Sequence, residues 1–438
     1  MKISKAILLS LMIFTGCHNI EHKIFTLSIY NKPVSMIWET NNYADYCYKK
    51  GETEIRIFNG IIEPSIVESL YNRGMDVLSL SKECDVDSIS LTYNDLANIS
   101  PDILKNYLEN YNIISANIYD TKNTKYQFKK FIKRKINEKN ILFTSAIINL
   151  SQPTSASYIK GYRIENPIYE LNRVLRENAN FRIVLLNRYQ DTILDSKQEY
   201  KFLRYFISKL DIKPNIIILD ISKEVNIDGV YILKSDTQTI SLYKKLSIFN
   251  KIKKNQIIAK ERENNFTNTQ EIIKKTKDYF SRKIANSQKN LDERETVIYI
   301  AKSIKKRIKS DFAAVCNKAF KNNIKKGDIR IKDVYLLVKD HNERLVYMKV
   351  RGEKINEFLL ELFKVSTAVY GDKPIGENEL KNLKFANYKI YKILINENCI
   401  KDNKEILNYV AEFSIINVKV LDTIMWYLRN YGIKNENN

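Results

Sequence analysis

Two runs of apolar residues, Ile183-Val184-Leu185-Leu186 and Ile216-Ile217-Ile218-Leu219, decide the fold class of this chain. Short, continuous apolar runs are typical of strands that are covered on both faces of a sheet. Amphipathic segments separate these runs, as helices do between parallel strands. The pattern therefore predicts a layered α/β domain from about residue 24 to residue 250. It also predicts strands at Ile55–Phe58, Val77–Leu80, Ile113–Ala116 and Ile141–Phe143.

The rest of the chain predicts a linker and a second domain. In the first domain, Pro101 and Asn166-Pro167 mark predicted helix starts. Residues 251–295 are polar and predict a linker that ends in a helix. Residues 296–438 mix helical and strand patterns, which predicts an α+β domain whose first helix places Val297, Ile300 and Ile304 on one face. Strands are expected at Leu345–Val350, Ile390–Ile395 and Tyr409–Phe413, and a helix at Ile355–Phe363.

Composition limits the class of protein. Of the 438 residues, 44% are hydrophobic, which excludes a chain that is disordered throughout. The net charge of +21 would attract nucleic acid, anionic lipid or another polyanionic ligand. Candidate binding segments are a helix with Lys305, Lys306 and Lys309, and the basic run at residues 129–135. Because acids are mixed among the bases, we favour solvated surfaces for both.

The N-terminus predicts export and lipid anchoring. Lys2 and Lys5 precede an apolar stretch, Ala6–Phe14, that is too short to span a bilayer. The stretch ends in Phe14-Thr15-Gly16-Cys17, which resembles a bacterial lipobox. We therefore expect a signal peptide at residues 1–16, lipidation of Cys17, and a membrane-tethered protein of the bacterial cell envelope, periplasmic or surface-exposed. An ordinary cleaved signal and an uncleaved anchor are the alternatives.

Four further cysteines, Cys47, Cys84, Cys316 and Cys399, form no CxxC pair, so neither a zinc site nor a redox motif is indicated. Buried free thiols are the default expectation. Pairing after export is the alternative, and the sequence does not indicate which cysteines would pair.

A series of motifs in the second domain resembles a known family. The segments Asp311–Asn317, Lys325–Ile329 and Met348–Ile355 are similar in order and spacing to the C-terminal domain of secreted bacterial 5′-nucleotidases. In the first half, Gly74–Leu80 and Ser115-Ala116-Asn117-Ile118 resemble two strand motifs of the same family. The resemblance implies a metallophosphoesterase-like α/β/β/α sandwich at residues 17–250, a linker and bridging helix at 251–295, and an α+β 5′-nucleotidase-like domain at 296–438.

The resemblance also implies a centre of two divalent metal ions, held by carboxylates, histidines and an asparagine. This chain has three histidines, His18, His22 and His341, and no arrangement of them supplies such a centre. The family's ligand motifs would fall at Tyr30–Val34, Gly60-Ile61, Ser81–Cys84, Asn187 and Ile221–Lys223. Because these positions lack the family's ligands, we expect no metal cofactor and no catalytic residues of the family type.

The family's nucleotide clamp is also altered. Its Asn-Gly-Gly-x-x-Arg loop corresponds to Cys316–Lys321, where Lys321 keeps the charge of the arginine but not its planar fork. Its two aromatic positions correspond to Asp340-His341 and Val418–Asp422, which carry no matching ring. Lys321 is therefore the single substrate-binding candidate, with an ordinary surface lysine as the alternative.

Three hypotheses about function follow. We favour a non-catalytic lipoprotein that binds an unidentified protein or ligand on a nucleotidase fold. The second is an active phosphoesterase whose remodelled metal site uses Glu83, Asp85, Asp87 or Asp220. The third is a polyanion binder that uses the basic helix.

Overall fold

The computed structural model describes residues 22–39, 47, 50–122, 128–150, 157–159, 161–189, 195–235, 238–244, 250–255, 266–380 and 382–433. The predicted signal peptide, Cys17 and His18 lie outside these residues. The chain divides into two compact units, Met1–Ile273 and Lys274–Asn438. Within the described residues, no helix has the length and apolar character needed to cross a membrane.

The first unit contains two six-stranded sheets and a small third sheet. Its strands are β1 (His22–Asn31), β2 (Glu54–Asn59), β3 (Ser88–Ser90), β4 (Ile113–Ile114), β5 (Ile118–Asp120), β6 (Phe131–Ile136), β7 (Lys139–Ile148), β8 (Ser157–Ile159), β9 (Tyr162–Ile164), β10 (Phe181–Arg188), β11 (Ile216–Leu219), β12 (Val225–Ile227), β13 (Val230–Lys234), β14 (Gln238–Lys244) and β15 (Asn250–Asn255). The first sheet has the order β15-β14-β1-β2-β3-β4, the second β12-β13-β11-β10-β7-β6, and the third β5-β9-β8. The inner strands β1, β2 and β3 are parallel to one another, as are β7, β10, β11 and β13.

Helices cover the outer faces of both large sheets. They are α1 (Pro33–Trp38), α2 (Val67–Asn72), α3 (Met75–Glu83), α4 (Tyr93–Asn98), α5 (Pro101–Leu108), α6 (Pro167–Leu175) and α7 (Ser196–Ser208). The two predicted helix starts are confirmed: Pro101 opens α5, and Asn166 caps α6 by accepting hydrogen bonds from two backbone N–H groups. Capping boxes at Thr92 and Asp195 begin α4 and α7.

Successive residues of a strand face opposite sides of its sheet and pack into different cores. The first unit therefore has four layers. Ile183 and Leu185 of β10 face a core shared by the two large sheets, together with Leu27 and Ile57. Their neighbour Val184 faces the opposite way, into a core formed with α6 and α7. Since both faces of the strand are buried, its sequence reads as a continuous apolar run. The predicted α/β/β/α sandwich is confirmed.

One predicted strand is wrong. Val77–Leu80 lies in helix α3, which begins after Gly74, a residue with a φ of 81°. Residues from Asp76 to Ser81 are all buried, so the helix shows little polar periodicity, and a short apolar run of this kind does not distinguish a buried helix from a strand. The parallel strand at this place in the sheet is β3, whose sequence Ser88-Ile89-Ser90 has a single apolar residue. The strand predicted at Ile113–Ala116 is shorter than expected and ends at Ile114.

The second unit is built on a six-stranded sheet of mixed direction. Its strands are β16 (Lys283–Ser287), β17 (Phe312–Ala314), β18 (Gly327–Arg330), β19 (Arg344–Arg351), β20 (Val369–Tyr370), β21 (Pro374–Ile375), β22 (Ile390–Asn396) and β23 (Val410–Lys419). The sheet order is β21-β20-β17-β22-β19-β23, and β16 pairs with β18. Helix α8 (Thr267–Ser281) begins in the first unit and ends in the second. The other helices of the second unit are α9 (Glu293–Arg307), α10 (Ile331–Leu337), α11 (Ile355–Phe363), α12 (Glu377–Leu380), α13 (Glu397–Asp402) and α14 (Val420–Tyr431).

The elements predicted for this unit are present. Phe358 and Leu362 of α11 pack against Met348 and Ile393 of the sheet, which makes the main core. Val297, Ile300 and Ile304 of α9 are buried as their spacing predicts. The α+β character of the second domain is therefore confirmed. The segment expected to be a linker contains β15, α8 and β16.

The expectation of free thiols is wrong for all four cysteines of the two units. Cys47 is bonded to Cys84, with a Cα–Cα distance of 4.8 Å, and Cys316 is bonded to Cys399, with a Cα–Cα distance of 5.3 Å. The partners are 37 and 83 residues apart, so the tertiary fold brings them together. Such pairs form in oxidising compartments, which is consistent with an exported protein.

Candidate functional site

A cavity lies where strands of both large sheets end. Its volume is about 360 Å³, and we name it the edge cavity. Asn31 and Asn59, the last residues of β1 and β2, stand side by side in the parallel register, and Asn187 comes from the end of β10. Asp220 follows β11. The carboxyl ends of parallel strands are the usual location of ligand sites in α/β proteins.

Asparagine carboxamides form part of the polar wall of the cavity. Asn59 Nδ2 donates to Asn31 Oδ1 at 3.0 Å. Asn187 Nδ2 donates to Ser90 Oγ and to the Leu91 carbonyl, both at 2.9 Å, and so joins the second sheet to the first. Asn59 is only 6% exposed, and its Oδ1 has no hydrogen-bond partner among the described residues. This oxygen is itself covered, so the wall holds a buried acceptor that no described residue satisfies.

The formal charges of the cavity wall cancel. Among its described residues the charged ones are Lys32, Arg188, Glu63 and Asp220. Lys32 Nζ is 4.0 Å from Glu63 Oε2 and its side chain is 66% exposed. Arg188 donates to Glu199 at 2.7 Å and also to the Asp220 carbonyl. Although burial acts in the opposite direction, hydrogen bonds from Ser222 and Arg188 lower the pKa of Glu199, so this partner of Arg188 is ionised.

A buried carboxylate next to the cavity has a structural role. Asp95 accepts hydrogen bonds from the backbone N–H groups of Ile61 and Ile62 at 2.9 and 2.7 Å, and from the N–H and hydroxyl of Thr92 at 2.6 and 2.9 Å. Burial raises its pKa to about 6. These bonds hold the loop after β2 against the start of α4. Gly60 of that loop has a φ of 84°, and a Cβ there would approach Thr92 to 3.1 Å.

The donor set at the edge cavity does not fit a pair of divalent metal ions. Such a centre needs several anionic or imidazole donors, whereas the strand ends here supply the neutral amides of Asn31, Asn59 and Asn187. The carboxylates of the wall are Glu63 and Asp220, with Lys32 and Arg188 beside them. In the described part of the chain, no group of three or more His, Cys, Asp or Glu residues could hold a metal ion. His341, which belongs to the other unit, is not in this wall.

The positions assigned to the family's ligand motifs mostly meet at this cavity. Tyr30–Val34, Gly60 and Asn187 contribute to the wall or follow its strands, and Ile221–Lys223 directly follows Asp220. Ser81–Cys84 is the exception, because it lies at the end of α3. In the structure, the segment that lines the cavity after β3 is Thr92-Tyr93-Asn94. These three residues were not among the site residues predicted from the sequence. The capping-box pattern from Thr92 to Asp95 was the available signal.

The four carboxylates proposed for a remodelled metal site are not brought together. Glu83 caps helix α8 by accepting from Asn268 and Thr269. Asp87 precedes β3, at the opposite end of the strand from the cavity, and pairs with Lys50 at 2.6 Å. Asp85 lines a separate pocket with Asp87. Asp220 alone of the four lies in the edge cavity.

Lys321 lies in the second unit, in the loop that follows β17. Its backbone N–H donates to the Leu337 carbonyl at 2.9 Å. Nearby, burial is the main cause of the lowered pKa of His341, whose Nε2 is 2.7 Å from the Tyr335 carbonyl, and the charge of Lys321 adds to this effect. Asn317 of the same loop lines a pocket of about 310 Å³ that does not include Lys321 among its described residues.

Several lysines of the two basic segments form hydrogen bonds, ion pairs or a cation–π contact with neighbouring groups. Lys305 donates to the Gly371 carbonyl at 2.7 Å and pairs with Asp372 at 3.1 Å, and Lys306 lies over the ring of Tyr431. In the run at residues 129–135, Lys130 and Lys133 pair with glutamates at 2.6 and 2.8 Å. These contacts favour structural roles over a dedicated polyanion site.

Comparison with known proteins identifies the fold. Residues 271–386 match the family model of the "5'-nucleotidase, C-terminal domain". A putative 5′-nucleotidase from Staphylococcus aureus, solved with alpha-ketoglutarate, has a TM-score of 0.59 and 12% identity over 94% of this chain and 98% of its own. A 5′-nucleotidase precursor from Thermus thermophilus has a TM-score of 0.55 and 12% identity over 94% and 97%. A 5′-nucleotidase from Candida albicans has a TM-score of 0.54 and 9% identity over 94% and 99%.

A search of curated protein sequences finds no match. At such low identity the structural neighbours establish the fold, and the family model identifies the second unit. The chain therefore has the two-part fold of the 5′-nucleotidases and carries a 5′-nucleotidase C-terminal domain.

Proposed function

We propose that this protein is a non-catalytic member of the nucleotidase fold, which binds a ligand or a partner protein without hydrolysing phosphate esters. The observation that carries the proposal is the triad of asparagine carboxamides at the strand ends, Asn31, Asn59 and Asn187, where two-metal hydrolysis needs charged ligands. A neutral amide does not compensate the charge of two divalent ions.

The test is release of phosphate from nucleoside 5′-monophosphates by the purified protein, with Mn²⁺, Zn²⁺ or Mg²⁺ added and with EDTA as the control. We expect no release above that of the buffer, and less than one equivalent of bound metal by elemental analysis. Phosphate release that EDTA abolishes would refute the proposal and favour the remodelled phosphoesterase. In that case Asp220→Asn, which alters the one carboxylate of that hypothesis found in the cavity, would abolish the release.

We also propose that the protein is held in the bacterial envelope by a lipid on Cys17. The lipobox-like sequence and the two disulfides support export to an oxidising compartment. Metabolic labelling with an alkyne fatty acid in a bacterial host should mark the wild-type protein and not Cys17→Ser. Equal labelling of the two proteins would exclude this anchor.

A further inference from the structure

The edge cavity is large enough for a small molecule. Its volume of about 360 Å³ is in the range of ligand sites, which begin at about 300 Å³. A structural water occupies roughly 30 Å³, so the space exceeds what a few bridging waters need. The cavity is also built from both sheets, since the amide of Asn187 bonds across to Ser90 and Leu91. Its polar groups are therefore fixed by the sandwich.

The charges of the wall do not favour an anion. Lys32 faces Glu63, and Arg188 is engaged by the ionised Glu199 and by the Asp220 carbonyl. A phosphate or carboxylate group would therefore meet a wall with no net positive charge. Carboxamides, in contrast, both donate and accept hydrogen bonds, as hydroxyl groups do. The wall is chemically matched to an uncharged ligand with several hydroxyls.

The unsatisfied oxygen of Asn59 favours the same class of ligand. Its Nδ2 is committed to Asn31, so the amide presents Oδ1 as an acceptor. Leaving such a buried acceptor unpaired costs about 1–3 kcal/mol. The oxygen is covered in the structure, so a hydroxyl that enters beside Asn31 and Asn59 reaches it only when the amide rotates toward the cavity. An ionised carboxylate has no hydrogen to donate.

An aromatic ring completes the site. Tyr93 belongs to the wall, and its ring is held edge-to-face against Tyr189, with centroids 4.9 Å apart. Pro33, Val34 and Leu186 add apolar surface. A sugar ring has one polar edge and apolar C–H faces, and a wall that combines amides with an aromatic ring contacts both.

We infer that the edge cavity binds a small uncharged polyhydroxylated molecule of the sugar class, without a metal ion. This inference rests on the proposed non-catalytic function, because a working dimetal centre would occupy the same space.

Saturation-transfer NMR on the full-length protein in EDTA tests the inference, with D-ribose, D-glucose and N-acetyl-D-glucosamine as probes. We expect transfer to at least one sugar, and at least tenfold weaker binding for Asn59→Leu, which keeps the side-chain size and removes the acceptor. Asn94→Ala, a half-buried position of the wall, is the second variant and should also weaken binding. Asn323→Ala, an exposed residue of the second unit, is the matched control and should not change it.

Three results would overturn the inference. The first is no transfer to any of the three sugars. The second is equal transfer to the wild type and to the folded variants Asn94→Ala and Asn59→Leu, and the third is displacement of the sugar by equimolar inorganic phosphate in EDTA. Near-UV circular dichroism establishes whether each variant is folded. Failure here leaves the absence of phosphate release standing. EDTA-sensitive phosphate release would refute the proposed function whatever the sugar result.

Discussion

At the scale of single residues, Glu343 is a buried carboxyl group whose two oxygens are not equally hydrogen-bonded. Glu343 is 1% exposed; Asn396 Nδ2 donates to its Oε1 at 2.5 Å, and the Asn398 N–H donates to it at 3.0 Å. Its Oε2 has no partner among the described residues. Burial raises the pKa of Glu343 to about 7, above its ordinary 4.5. The carboxyl group is therefore protonated in the folded protein at pH values where it is ionised in the unfolded chain.

The first prediction concerns Glu343→Gln. Because the folded-state pKa is the higher one, the contribution of Glu343 to stability is complete below pH 4.5 and is lost as the pH rises through about 7. The loss is on the order of 2–3 kcal/mol. Glu343→Gln should remove it, so the variant should be more stable than wild type at pH 8 and similar at pH 4.5. Urea unfolding at the two pH values measures this. Exposed Glu357→Gln is the control, and an equal pH dependence in wild type and Glu343→Gln would contradict the prediction.

The second prediction concerns Asp95, whose two oxygens accept four hydrogen bonds from Ile61, Ile62 and Thr92. In Asp95→Asn one carboxylate oxygen becomes an N–H₂ group. That group then faces N–H donors, either the N–H of Thr92 or the N–H groups of Ile61 and Ile62. We expect a loss of about 1–3 kcal/mol of unfolding free energy. Thermal unfolding monitored by circular dichroism measures it, with exposed Asp102→Asn as the control. A variant as stable as the control would show that the four bonds do not hold the loop.

At the scale of elements, two disulfides join segments that are far apart in the chain. Cys316 follows β17 and opens the loop that carries Lys321, and Cys399 lies in α13. The bond therefore secures the loop that carries Lys321 to the helix that directly follows β22. The other disulfide joins the end of α3 to Cys47.

The third prediction follows from the two disulfides. Alkylation of the oxidised, denatured protein should block none of Cys47, Cys84, Cys316 and Cys399, and alkylation after reduction should block all four, as measured by mass spectrometry. Cys316→Ser with Cys399→Ser should cost about 4 kcal/mol, because the bond closes a loop of 83 residues. Replacing Cys399 alone tests whether the freed Cys316 thiol becomes reactive. Full alkylation without a reductant would exclude the pairs.

At the scale of the whole molecule, the first unit combines a four-layer sandwich with a strand edge where the described residues form no group of three or more His, Cys, Asp or Glu that could hold a metal ion. The same edge in two-metal enzymes gathers ligands from separate strands. Here β1 and β2 end in Asn31 and Asn59, whose amides are bonded to each other, and Asn187 near the end of β10 bonds across to Ser90 of the first sheet. The fold is therefore that of the nucleotidases, but fold alone does not establish the chemistry of this edge.

The fourth prediction concerns the metal response of the whole protein. A ligand that binds only the folded state at 100 times its Kd stabilises it by about 2.7 kcal/mol. We expect the same Tm in 1 mM Mn²⁺, Zn²⁺ or EDTA, because no described group of donors holds these ions. The variant Asn31→Asp with Asn59→Asp and Asn187→His should gain a metal-dependent rise in Tm. A rise in the wild-type protein would contradict the argument from the donor set.

The amino-acid sequence by itself determined the sandwich of the first unit. Strands such as Ile183–Leu186 are buried on both faces, so a run of consecutive apolar residues is enough to predict them. The small number of histidines is visible in the composition alone. Only the tertiary structure decided that Val77–Leu80 is helical, because burial on all sides removes the periodicity that separates helix from strand. It also decided the cysteine partners and the meeting of Asn59 with Asn31, since contacts between residues far apart in the chain depend on the packing of the sheets.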